Sequence, residues 1–153
     1  MKILLISDTH SNIRDAVELI RREGDFDLFF HMGDTYQDAT SIREETGLPM
    51  KAVSGNMDEQ RTGPEIEVFS LEGIRFLLTH GDRFWVNQGL QALDVKAERC
   101  GVDIVCFGHT HIASDTVISS RRFINPGAFR GNVCSYGILK LDNGGATYQP
   151  LSF

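Results

Sequence analysis

The residues able to do acid–base or metal chemistry are unevenly spread along this chain of 153 residues. The five histidines are His10, His31, His80, His109 and His111. Four of them stand in polar segments that close apolar runs: Asp8-Thr9-His10, His80-Gly81-Asp82 and Gly108-His109-Thr110-His111. Two more segments of this kind, Gly33-Asp34 and Gly55-Asn56-Met57-Asp58, offer carboxylate and amide oxygens. Imidazole is the commonest metal ligand among side chains. Asp8-x-His10 and His109-x-His111 each place two donors two residues apart, which in an extended segment puts them on one face. A mixed nitrogen and oxygen set without cysteine suits Mn, Fe, Zn, Ni or Co rather than a soft thiolate site. Asp8, His10, Asp34, Asn56, His80, His109 and His111 are too many donors for one four-coordinate zinc. Two ions sharing a bridging carboxylate, about 3.5–4 Å apart, could use them all.

Elements that could position these groups are legible in the hydrophobic pattern. Residues 2–7 read as a strand whose continuous apolar run, Ile3-Leu4-Leu5-Ile6, suits burial on both faces. Residues 12–23 carry Ile13, Ala16, Val17 and Ile20 at helical spacing. A strand over 27–31, a helical stretch to about residue 46 and a strand over 50–53 complete a β-α-β-α-β opening, hence a parallel, helix-flanked layer. The second half reads differently. Residues 66–71 and 74–79 form a hairpin turning at Gly73, residues 87–100 a helix, and 103–107 a strand. Residues 113–118 and 122–125 pair as a hairpin, as do 135–141 and 147–151 around Asn143-Gly144-Gly145. The fold class is therefore α/β, with two sheets packed together and helices outside. Five predicted strands end in a candidate donor, and ligands of α/β sheets bind at the carboxyl ends of strands. Glycine before Asp34, Asn56 and His109 gives the backbone latitude to turn sharply there.

Composition narrows the partners. Net charge is −6, with basic residues scattered or in the pairs Arg21-Arg22 and Arg121-Arg122. No basic stripe of a duplex-binding protein is visible. The length predicts a single domain over 1–153. The apolar start gives way to Ser7, Asp8 and His10, too early for a signal peptide. No run approaches the ~18 apolar residues of a membrane span. Three cysteines without C-x-x-C predict a reducing, cytoplasmic setting.

Asp8-x-His10, Gly33-Asp34, Gly55-Asn56, His80-Gly81 and Gly108-His109-x-His111, in this order, resemble the motif set of the calcineurin-like metallophosphoesterases. Order, glycines and length look like the small YfcE-like bacterial and archaeal phosphodiesterases, and like the small retromer subunit that shares their fold. The resemblance runs from residue 3 to about residue 128 and includes Asn125-Pro126-Gly127. It implies a four-layered α/β/β/α sandwich of two mixed sheets flanked by helices. It also implies a first metal on Asp8, His10 and His111, a second on Asn56, His80 and His109, and Asp34 as the bridge. The metals would be Mn²⁺, with Ni²⁺, Zn²⁺, Fe²⁺ or Co²⁺ as alternatives. The reaction would be hydrolysis of a small phosphate diester by a hydroxide held between the two cations. Because imidazole binds metal only when neutral, activity should fall at acid pH.

Many members of the superfamily carry a histidine directly after the Gly-Asn pair, and this chain has Met57. Methionine donates no proton, and losing such a group typically costs about 10²–10⁴-fold. The competing reading is a scaffold or interaction module that keeps the fold and the metals, as in the retromer subunit. A third is a phosphomonoesterase, which needs a closed, cationic pocket. Asp58 is a candidate for orienting an imidazole or the attacking water, and Arg130 for contacting a substrate phosphate. Asp38 lies four residues after Asp34, not at the three-residue offset of a supporting aspartate in larger family phosphatases, and has no assigned role. His31 is read as structural or supporting, Asn125-Pro126-Gly127 as a turn shaping the pocket wall, and Phe84-Trp85 as core packing by default, with a pocket wall or an interface patch as the alternatives. A homo-oligomer is open.

Overall fold

The computed structural model describes residues 1–59 and 62–153. Its first sheet has the strand order β10-β9-β1-β2-β3. Here β1 is Lys2–Ile6, β2 Leu28–His31, β3 Met50–Ala52, β9 Ser135–Asp142 and β10 Gly145–Ser152. β1, β2 and β3 run parallel, and β9 and β10 join antiparallel. The second sheet has the order β4-β5-β6-β8-β7. Its strands are β4 Ile66–Leu71, β5 Ile74–Thr79, β6 Ile104–Cys106, β7 Ser114–Ile118 and β8 Arg121–Asn125. β5, β6 and β8 are parallel, with β4 and β7 antiparallel at the edges. Both sheets are thus mixed, as the resemblance implied.

The unbroken apolar run of β1 has a physical reason. Its alternate residues face opposite ways, and both faces are covered. Ile3 and Leu5 meet Phe76, Leu78 and Cys106 between the sheets. Leu4 and Ile6 instead meet Ala16, Leu19, Ala39 and Ile42 of α1 (Ile13–Glu23) and α2 (Tyr36–Thr46). On the far side, Leu77, Val105 and Phe123 pack on Leu93 and Ala97 of α3 (Gln91–Cys100). The result is four layers, helices outside and two sheets within.

The helix expected over 87–100 is shorter. Gly89 at φ 131° interrupts it, residues 86–88 form a 3-10 turn instead, and another 3-10 turn, residues 82–84, precedes them. Three hairpins turn on left-handed residue pairs: Glu72-Gly73, Ser119-Ser120 and Asn143-Gly144. That backbone matches strand twist. Glycine announces the first and third in the sequence, but Ser119-Ser120 carries no such mark. The three cysteines are free thiols. Among the described residues, no helix is long and apolar enough to cross a membrane.

Candidate metal centre

The five polar segments meet at one end of the two sheets. β1, β2 and β3 deliver Asp8, His10, Asp34 and Asn56, while β5 and β6 deliver His80, His109 and His111. Asp8, Asp34 and His80 form a buried floor, and His10 and His111 an exposed rim.

His80 fixes the chemistry of the floor. Its Nδ1 lies 2.7 Å from the Met32 carbonyl oxygen. A carbonyl only accepts, so Nδ1 carries the proton, and in a neutral ring Nε2 is a bare lone pair. That lone pair faces Asn56 Oδ1 at 2.9 Å, His109 Nδ1 at 3.2 Å and Asp34 Oδ1 at 3.6 Å. One shared proton cannot satisfy this many acceptors, whereas a divalent cation can. Adjacent ligands of an ion with bonds of about 2.1 Å lie about 3 Å apart in octahedral geometry, which these separations match.

A second group of donors stands beside it. His111 Nε2 is 3.0 Å from Asp8 Oδ1, and Asp8, His10 and His111 have ligand atoms within 4.8 Å of one another. Asp34 spans both groups. Its Oδ2 is 3.2 Å from His10 Nε2 while its Oδ1 looks toward His80. Asp8 joins the floor too, since Asp8, Asp34 and His80 also form a set within 4.8 Å. The donor chemistry fits two cations, with carboxylates reaching both.

The convergence is not made as the spacing suggested. Asp8, His10, His109 and His111 all have φ between 45° and 66°, so their loops are left-handed turns rather than extended segments. The glycines also work differently. Gly33 has φ 80°, but Gly55 and Gly108 do not need positive φ. A Cβ on Gly108 would sit 2.0 Å from Ser7 Oγ, and one on Gly55 2.8 Å from Asp34 Cα. Those two are glycine because the loops pass too closely for a side chain.

Side chains that touch no metal position hold these loops. Ser7 Oγ donates to Asp8 Oδ2 at 2.5 Å, and the His109 backbone N–H donates to the same oxygen at 3.1 Å. Asn125, fully buried, donates through Nδ2 to Gly108 O and Thr110 Oγ1, both at 2.9 Å, so it clamps the loop bearing His109 and His111. Asp58 accepts the N–H of Tyr36 and of Gly55, both at 2.8 Å. Its hydrogen bonds among the described residues go to backbone, where they tie the Asn56 loop to the start of α2; an imidazole-orienting contact is not among them. Met57 donates its backbone N–H to Asp34 Oδ1 at 3.1 Å while its side chain is exposed. Arg130 Nη2 lies 3.1 Å from His111 Nδ1, which places the guanidinium at the rim. His31 is buried beneath the floor, its Nε2 3.0 Å from Thr9 Oγ1, and burial pushes its pKa down to about 4. Of the two aromatics expected in the core, Phe84 packs on the α3 side while Trp85 is 65% exposed. The clamping role of Asn125 was hard to see in the sequence, because Gly108 and Thr110 lie 17 and 15 residues away.

Two mixed sheets between helices, with paired metal-type donor groups at their carboxyl ends, define a phosphoesterase-like architecture. The chain belongs to the calcineurin-like phosphoesterase superfamily, whose domain model matches residues 1–144. It is similar to the probable metallophosphoesterase YsnB of Bacillus subtilis, 33% identical over 97% of this chain and 89% of that one. It is also similar to the phosphodiesterase MJ0936 of Methanocaldococcus jannaschii, 28% identical over 89% of this chain and 86% of that one. A solved structure from Streptococcus pneumoniae, described as a predicted phosphoesterase, superposes with a TM-score of 0.82 at 29% identity. That match covers 99% of this chain and 88% of the other.

Proposed function

We propose that this protein is a metal-dependent phosphodiesterase acting on a small phosphate diester. The observation that carries the reading is the convergence of acceptor lone pairs from five strand ends into two groups that share carboxylates. Asp8, His10 and His111 would hold one cation, Asn56, His80 and His109 the other, and Asp34 would bridge them. The ions we assign are Mn²⁺. When bound, such a pair would lower the pKa of a water toward neutrality and so provide the nucleophile for an in-line displacement at phosphorus.

The chain's own residues do the rest. Asp8 and Asp34, buried and fixed by Ser7 Oγ and the Met57 N–H, keep the two groups at a set separation. His80 is locked in one tautomer by the Met32 carbonyl. Arg130 offers a guanidinium to a phosphoryl oxygen. A cleft of about 680 Å³ opens beside Asn56 toward Thr79 and Phe84, with room for an organic leaving group. A nucleotide, a cyclic nucleotide and a short oligonucleotide end all fit this chemistry.

The scaffold reading draws on Met57 and on exposed apolar side chains, Ile112 beside the site and Trp85. One experiment separates the two readings. The chain is stripped, reloaded with Mn²⁺ and assayed on an aryl phosphodiester and its monoester, beside Asp34→Ala. Diester turnover that falls to background in the variant supports the enzyme. No turnover of either ester by a chain holding two ions overturns it and favours the scaffold.

A further inference from the structure

We propose that Asp38 is a positioning residue that sets the first group of metal donors against the bridging carboxylate. This inference rests on the metal-centre reading above. Asp38 is 5% exposed at the start of α2, and a single oxygen, Oδ2, carries its contacts. Thr9 Oγ1 donates to it at 2.6 Å, the Ser11 N–H at 2.7 Å and Thr35 Oγ1 at 2.9 Å. Thr9 and Ser11 flank His10. Thr35 follows Asp34. One oxygen thus ties the neighbours of three donors, Asp8, His10 and Asp34.

A purely helix-capping aspartate would be bonded otherwise. At the third helical position, an acidic side chain ordinarily reaches back to the N–H of the cap residue. Asp38 instead takes an N–H from Ser11 and a hydroxyl from Thr9, in a different loop. That loop needs holding, since Asp8, His10 and Ser11 have φ of 53°, 45° and 69°, a region disfavoured for residues with a Cβ.

The proton order fixes the direction of the chain of bonds. A carboxylate only accepts, so the single Thr9 hydroxyl proton points at Asp38. The Thr9 oxygen therefore accepts from His31 Nε2–H, which leaves His31 Nδ1 as the unpaired atom, as observed. His31, Thr9 and Asp38 form one polarised line under the Asp8–His10 loop.

The test is manganese binding by the full chain, followed by calorimetry and electron paramagnetic resonance. Outer groups that orient ligands typically contribute 10–100-fold in metal affinity. Asp38→Asn is expected to lose about that factor at the position formed by Asp8, His10 and His111, and to keep the affinity at Asn56, His80 and His109. Its spectrum at two equivalents should shift from a coupled pair toward an isolated ion. Thr9→Val, nearly isosteric, should move both readouts the same way by less. Ile42→Val, buried on the same helix, is the control for stability alone and should leave both affinities unchanged. A wild-type chain that binds two ions beside an Asp38→Asn chain with unaltered affinities overturns this inference alone. Equal weakening by Ile42→Val also overturns it, in favour of a merely structural role. A wild-type chain that binds no manganese overturns the metal-centre reading and this inference with it.

Discussion

At the scale of single residues, His31 sets a measurable pH dependence. Burial lowers its pKa from 6.5 to about 4. Well above pH 6.5 the ring is neutral folded or unfolded and adds no slope. As pH falls from about 6.5 to 4, only the unfolded chain binds the proton, so stability is lost, by about 3 kcal/mol in full. Denaturation of metal-free protein across this window should show His31→Gln with the shallower slope, and equal slopes would contradict the assignment. Arg130→Ala, which removes the rim guanidinium, should raise KM for a diester about tenfold, consistent with one charge-assisted hydrogen bond, with a smaller effect on kcat. Steady-state kinetics over a range of substrate decides it. The seven candidate donors stood out in the sequence because four of the five histidines, and the acidic and amide residues beside them, fall in polar segments that close apolar runs. Asp38 did not, because its value lies in Thr9 and Ser11, 29 and 27 residues away. Asp58 looked chemical by its place beside Asn56, yet its carboxylate serves backbone N–H groups.

At the scale of elements, pattern reading succeeded where one physical cause dominated. The strands of both sheets fall within a residue or two of their apolar runs, and α1 within one residue of its expected start. It failed at 87–90, where Leu90 continues the apolar face of α3 but the Gly89 backbone at φ 131° cannot continue a helix. Side-chain spacing records the face, not the dihedral angle. The contact between sheets rests on aromatics: Phe30 of β2 meets Phe69 and Phe76 of the second sheet edge-on at 5.4 and 5.6 Å, and the latter two stack on each other. Phe76→Ala should therefore cost about 3–5 kcal/mol in urea unfolding. Phe69, only partly buried, should cost less when truncated. A similar loss for the two would mean that the inter-sheet layer is looser than its packing shows.

At the scale of the whole molecule, the candidate metal centre is a joint between two sheets. An ion that binds only the folded chain stabilises it by about 2.7 kcal/mol at a free concentration one hundred times its Kd. Chelation should then lower the melting temperature by about 5–10 °C in a chain this long, and Mn²⁺ should restore it. A melting temperature indifferent to both would place the ions elsewhere. The division of donors has another result. Asp8, His10, Asp34 and Asn56 belong to one sheet, and His80, His109 and His111 to the other. A chain emerging from synthesis completes the first set long before the second, and neither half encloses an ion alone. On the proposed assignment, tight capture of metal would wait on the docking of the two sheets, so a bound ion would act as an inspector of assembly, held only by chains that have finished folding.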